Sequence, residues 1–151
     1  SVHIGILQDF QLFILAQEES PEPIRISVEV GKRFPAIKTA SGRLMLAFLP
    51  EGELRQFFKQ DPHYRGLSKK QQGHFQGQLE KAKVSRYVID ESDIIEGVQD
   101  ISVLVGKPEL GVVAALAVPV LVSKGQKVDA LPMLPHLQTS AEIITQKLGL
   151  V

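Results

Sequence analysis

Two prolines bracket the stretch that most restricts how this chain folds, Val30 to Pro50. Pro35 fixes its own φ and drives Phe34 into an extended conformation, so no helix begins before it. Pro50 marks where that helix stops. Between them, Thr39 or Ser41 is placed to cap a helix by accepting from a backbone N–H two or three residues on. Small and hydroxyl residues therefore open an apolar helix. Ala40, Ser41 and Gly42 stand at its first turn, where unpaired N–H groups and the positive end of the helix dipole face outward. Small side chains there allow a ligand to come close, which makes the turn a candidate anion seat. The same small residues serve equally to pack the helix tightly on a sheet. The residues alone leave both readings open.

Strand patterns precede this stretch. Val2, Ile4 and Ile6 alternate, and so do Phe10, Leu12, Ile14 and Ala16 after a polar break at Gln8 and Asp9, which predicts a hairpin. Gln17 to Pro23 reads as a loop. Ile24 to Val30 alternates again and predicts a third strand. After Pro50, Glu51 to Lys59 predicts a short helix. Ser68 and Gln71 match a capping box, and the helix they start carries Phe75, Leu79 and Ala82 as one apolar stripe. Gly73 and Gly77 weaken that helix and place it at the periphery. Arg86 to Ile89 and Val98 to Val105 read as strands, and Gly106 to Gly111 as a hairpin loop. Val112 to Leu121 is apolar almost throughout, as a central strand covered on both faces would be. Pro119 donates no ladder bond and is expected at an end or a bulge. Gln126 to Pro132 reads as a loop. Pro135 to Leu148 predicts a last helix with the stripe Leu137, Ala141, Ile144 and Leu148, ended by Gly149. Strands at both ends with helices between and after predict an α+β fold: an antiparallel sheet with helices on its faces.

The 151 residues suit one domain with a real core. Formal net charge is zero, and no clustered Lys and Arg stripe stands out, so this chain is poorly suited to grip DNA by itself. The absence of cysteine excludes disulfides, thiol catalysis and Cys-based zinc sites, and fits a reducing compartment. No apolar run approaches the roughly 18 residues needed to span a bilayer, and no secretory signal opens the chain. Its first residues read as a strand already in progress, so the chain is expected to begin at a domain boundary.

Catalytic and metal chemistry find little footing. His3, His63, His74 and His136 form no helical ligand pair, and His63 and His74 read as solvent-exposed. Asp90, Glu91, Asp93 and Glu96 form an acidic run. It could serve acid–base work or a hard cation, although EF-hand spacing is not met, or it could be a solvated turn. Asp100 lies inside an apolar strand on the same side as Ser102 and Leu104. There it faces either water or a cavity, where it would accept from a ligand hydroxyl or amine. No nucleophile elbow supports a Ser/His/Asp triad.

Three segments together resemble a known family. They are Val30 to Pro35 followed by Ala40 to Glu51; Tyr87 to Glu91 with Gly97, Val98 and Ile101 to Val103; and Gly111 to Val118 with the final helix from Ala141 to Gly149. In order and spacing they resemble the C-terminal effector-binding domain of IclR-type bacterial transcriptional regulators, over nearly the whole chain. The resemblance implies a GAF-like α+β fold, an antiparallel sheet flanked by helices, with residues 1–151 as a single effector-binding domain. It implies a small-molecule effector, such as an organic acid, an aromatic or a sugar derivative. It implies homodimers or homotetramers and DNA contact only through an N-terminal winged helix-turn-helix domain that this chain lacks. It further implies a cytoplasmic location, no membrane partner, no cofactor, no metal and no catalysis.

The pocket residues implied by the resemblance are Ile26 before the glycine turn, Ala40, Ser41 and Gly42 at the helix start, Asp90 after the Tyr87 strand, and Asp100, Ala117 and Pro119 on the paired hairpin strands. Asp100 stands where some members of the family carry cysteine, and Ala117 and Pro119 where some carry serine. The proline common after the Ile101–Ser102 pair is replaced by a run through Leu104. An acidic group there would repel an anionic effector unless protonated or bridged. This brings a polyol, a sugar derivative or a larger amphiphile into consideration beside an acid. Two other readings stand beside effector sensing: a structural dimerisation module with a degenerate pocket, and a carboxylate-based hydrolase using Asp90 and Asp100.

Overall fold

The computed structural model describes residues 1–122 and 130–150. Strands β1 (Val2–Gln8) and β2 (Gln11–Glu18) form the first hairpin. Their two-residue turn falls at Asp9 and Phe10, one position later than the polar break predicts. Both have positive φ, 51° and 58°, as a primed turn between twisted strands demands. A phenylalanine tolerates that backbone here because its ring meets Phe57 edge to face, with centroids 5.3 Å apart.

The alternating segment Ile24 to Val30 is not a strand. The third strand is the shorter β3 (Arg33–Pro35), paired with β2. The amides of the preceding segment find irregular partners instead of a ladder. The Val28 N–H donates to Gln17 Oε1 at 2.6 Å, and the Gly31 N–H donates to the Ile14 carbonyl at 2.8 Å. Ile26 and Val28 are partly buried, whereas Ile24 and Val30 lie exposed, so period-2 patterning marks an extended flap and no more.

Between the two groups of strands run α1 (Ala40–Ala47), α2 (Glu51–Gln60), the single turn α3 (Pro62–Arg65) and α4 (Lys69–Ser85). The capping box is formed: Ser68 Oγ accepts from the Gln71 N–H, and the Gln71 side chain accepts from the Ser68 N–H. Strands β4 (Tyr87–Glu91), β5 (Val98–Lys107) and β6 (Val112–Leu121) follow, and then α5 (Leu134–Lys147). The sheet is antiparallel throughout, in the order β3-β2-β1-β6-β5-β4. The predicted loop Gln126 to Pro132 falls largely on residues 123–129, outside the described residues; Leu131–Met133 forms a short 3-10 turn leading into α5.

Strand β6 sits in the middle and feeds both faces. Ala115 joins the core beneath α1 and α4, with Leu12, Ile14, Leu44, Leu46 and Phe57. Leu116, one residue on, joins Ile101, Val103 and Val105 beneath Leu137 and Ala141 of α5. Leu148, expected on that α5 stripe, is exposed, because it falls beyond the last helical turn, where Gly149 turns the chain with φ +78°. Pro119 lies inside β6 opposite Asp100, not at a bulge. It is tolerated because β1 pairs with β6 no farther than His3 and Ala117, so no β1 partner lies beside it.

The helix that organises the sequence is wholly buried: every residue of α1 is enclosed between the sheet and α4. Gly42 permits this, since a Cβ there would strike the Ala36 backbone. By contrast, a Cβ at Gly73 on α4 would meet open space. The two glycines therefore respond oppositely to alanine in urea unfolding. Gly42→Ala is expected to destabilise by about 2 kcal/mol or more, and Gly73→Ala to stabilise by roughly 0.5–1 kcal/mol.

Candidate functional site

Helix α1 begins where extended backbone turns a corner. Ala36–Lys38 forms a 3-10 turn, Thr39 returns to extended geometry, and its Oγ1 accepts from the Gly42 N–H at 2.9 Å. Of the two capping candidates Thr39 is therefore the cap. Ser41 has another partner: its Oγ lies 3.0 Å from Ser102 Oγ on β5, both hydroxyls buried. This bond ties the helix start to the middle of the sheet.

Sheet register sets the facing wall. His3, Ala117 and Ser102 are direct neighbours across β1, β6 and β5, and Pro119, Asp100 and Asp90 form the next row across β6, β5 and β4. Between these rows and the helix start lies a cavity of about 80 Å³. Thr39, Ala40 and Ser41 form its helix wall, and His3, Asp100, Ala117 and Pro119 its sheet wall. Ile26, Val28 and Phe34 close one side, and Ser92, Ile94 and Ile95 another. About one water's worth of space is 10–15 Å³ on this measure, and a known benzene-binding cavity has about 150 Å³. As it stands, the site holds a molecule of a few heavy atoms, and a ring or a larger amphiphile requires the walls to part.

Six of the eight residues singled out in the sequence line this cavity: Ile26, Ala40, Ser41, Asp100, Ala117 and Pro119. Gly42 does not, because its bare Cα is turned to the Ala36 backbone for packing. Asp90 does not either. Its carboxylate accepts from Arg43 Nη2 at 3.2 Å, on the side of α1 away from the cavity.

Arg43 escaped the sequence reading. Its side chain is 7% exposed, and its Nη1 donates to the Ile37 carbonyl at 3.1 Å and to Asp93 Oδ2 at 3.0 Å. Asp90 and Asp100 face each other directly across β4 and β5, a like-charge pairing that is unfavourable unless compensated. The guanidinium supplies the compensation. It also holds down the segment after β4, in which the Ile94 and Ile95 N–H groups both donate to Ser92 Oγ at 3.2 Å and the Ser92 N–H donates to the Val98 carbonyl at 2.8 Å. An apolar pair inside an acidic run was the available signal that this segment covers something.

His3 was the other residue missed. It is 8% exposed, its ring makes no hydrogen bond to any described residue, and it lines the cavity. The alternation of Val2, Ile4 and Ile6 identifies one face of β1; His3 and Gly5 occupy the opposite face, which packs beneath the helices. Burial, with the nearby amino terminus second, lowers the His3 pKa to about 4, so the ring is neutral near pH 7. Burial also raises the Asp100 pKa, against the opposing pull of the Ser92 hydroxyl and Arg43, while Asp93 and Asp90 add to the rise. Among the described residues, no Lys or Arg lines the cavity. Among the described residues, no three His, Asp or Glu side chains converge as a metal site needs, and no helix is long and apolar enough to cross a membrane.

A curled antiparallel sheet with flanking helices, a buried helix start and a small cavity beside it define an α+β domain. The family model described as bacterial transcriptional regulator IclR C-terminal matches residues 1–146, and the chain belongs to that family. It is 23% identical over 151 residues to the HTH-type transcriptional regulator XynR of Escherichia coli (strain K12), covering 99% of this chain and 60% of that protein. An IclR homolog complexed with 4-hydroxybenzoate, from Microbacterium hydrocarbonoxydans, superposes with a TM-score of 0.81 at 18% identity, covering 99% of this chain and 61% of that one. A double mutant of the PobR inducer-binding domain from Acinetobacter, in complex with 3-hydroxybenzoic acid, superposes at 0.77 and 20% identity, covering 95% of this chain and 86% of that one. The chain thus spans about 60% of the length of XynR and of the 4-hydroxybenzoate-bound homolog.

His3 and Asp100 act oppositely on stability. Between pH 6.5 and about 4 the unfolded chain protonates His3 while the folded one does not, so stability falls as pH falls across that window. Asp100, raised in the folded state, contributes most below its ordinary value and loses that contribution as pH rises through the raised one. In urea unfolding at a series of pH values, His3→Gln should remove a slope approaching 1.4 kcal/mol per pH unit, and Asp100→Asn should make the acid-side loss steeper. Unchanged slopes in both variants would contradict the burial assigned to these groups.

Proposed function

We propose that this domain senses a small molecule without transforming it, in the cavity between the start of α1 and the His3–Ala117 and Asp100–Pro119 rows. The observation that carries this reading is the hollow itself, walled by parts of the chain far apart in sequence, one of them the segment that Arg43 holds in place. The eight residues named from the sequence enter in two roles. Ile26, Ala40, Ser41, Asp100, Ala117 and Pro119 contact the effector, while Gly42 and Asp90 support the walls. The hydroxybenzoates bound by two structural neighbours support an effector of the organic-acid or aromatic kind for the family; a sugar derivative remains in the same range.

Residues 1–151 act as one effector-binding domain of a cytoplasmic transcriptional regulator. A winged helix-turn-helix domain preceding them in the whole protein contacts DNA, and homodimers or homotetramers carry the signal. The effector binds one arrangement of the walls better than another and so shifts the placement of the DNA-binding domains. Full switching, from 1:99 to 99:1, requires a differential affinity of about 5.5 kcal/mol. Sensing without chemistry is supported by the pairing of the Ser41 hydroxyl with Ser102 and not with His3.

The reading is tested by thermal shift and calorimetric titration with hydroxybenzoates, short organic acids and sugar derivatives. At least one class should raise the unfolding temperature. Ala117→Leu, which places a larger side chain into the hollow, should abolish that rise while costing roughly 1–3 kcal/mol of stability. The small size of the cavity keeps a second reading in view, a dimerisation module with a degenerate pocket. Stable oligomers that respond to no member of the panel would favour it.

A further inference from the structure

The charges on the cavity walls restrict what can enter. One wall is the first turn of α1, whose positive dipole end favours a negative group. The opposite wall already carries one, Asp100. The remaining polar groups are hydroxyls and His3, neutral near pH 7. Among the described residues no Lys or Arg lines the cavity, and the two Nη atoms of Arg43, which contacts Asp90 on the neighbouring strand, are engaged by Asp90, Asp93 and the Ile37 carbonyl. A carboxylate entering this space would meet the Asp100 carboxylate with no cation from the described lining between them, and like-charge juxtaposition of that kind is unfavourable.

Two groups in the cavity nevertheless call for a polar ligand. The His3 ring, largely buried and without a hydrogen bond to any described residue, offers one donor and one acceptor. The Asp100 carboxylate has acceptor capacity beyond the Ser92 hydroxyl. Resting on the sensing function above, we propose that the effector is a small uncharged molecule that offers a hydroxyl or amide N–H to Asp100 and a second polar atom to His3, and that Asp100 excludes free carboxylates. Asp100 is then the specificity-determining residue of the site, and the protein itself supplies the anion that the start of α1 faces.

Matched probes that differ only in the group at issue test this by NMR titration of the 151-residue chain at neutral pH. One set is propane-1,2-diol, lactamide, lactate and 1-aminopropan-2-ol; the other is benzyl alcohol, benzamide, benzoate and benzylamine. The uncharged members of at least one set should bind about ten-fold or more tighter than the carboxylate and the ammonium. In Asp100→Asn the carboxylate should gain about ten-fold while the uncharged members change little. Asp100→Ser, smaller and also uncharged, should act in the same direction and guards against a folding defect in the first variant. A wild-type preference for carboxylate or ammonium overturns the charge assignment and leaves sensing intact. Silence of every probe on the wild type and both variants removes the sensing function, and this inference with it.

Discussion

One buried guanidinium joins the parts that make the site. Arg43 leaves the middle of α1 and reaches the turn that precedes the helix, the last residues of β4, and the segment beyond. Burying a guanidinium is costly unless its donors are met, and breaking such a cluster is strongly destabilising when a charge is left unpaired. Here Asp90 and Asp93 keep part of their surface in water, at 38% and 59% side-chain exposure. The cluster therefore joins a fixed centre to a rim that still has access to solvent. The cavity wall built from Ile94 and Ile95 rests on that rim.

The second constraint is the central position of β6. Because its neighbours in sequence serve opposite faces, Ala115 and Ala117 lie towards α1 while Leu116 lies towards α5. Small residues on one face leave room for a buried helix and, past it, for a hollow. Large residues on the other face fill the space beneath α5. On the α1 face Ala115 and Ala117 stand in succession, whereas on the α5 face Leu116, Val118 and Val120 follow Ala114 and fill the space.

Much of the fold was legible in the sequence because periodicity and punctuation report it directly. The hairpin strands, the proline-bracketed helix, the Ser68 capping box and the apolar central strand are each specified by a few adjacent residues. Ile24 to Val30 misled because alternation records which side chains turn inward and carries no information about whether the backbone finds a ladder partner. The site was legible where a family pattern or a helix start marked it, at Ala40, Ser41, Asp100, Ala117 and Pro119. It was illegible where long-range register decides. His3 faces the cavity only because β1 pairs with β6, and Arg43 matters only because β4 returns beside α1. Asp90 was placed in the wrong company for the same reason, since its neighbour is a cation 47 positions away in sequence.

The helix start that dominates the sequence shares its cavity with a carboxylate from the sheet, Asp100. The most direct test of the account is amide chemical-shift mapping of whichever probe binds most tightly. Perturbations should centre on His3, Ala40, Ser41, Asp100 and the Ser92–Ile95 segment. Perturbations centred instead on the open groove beside His63 and His74, with the helix start unmoved, would contradict it.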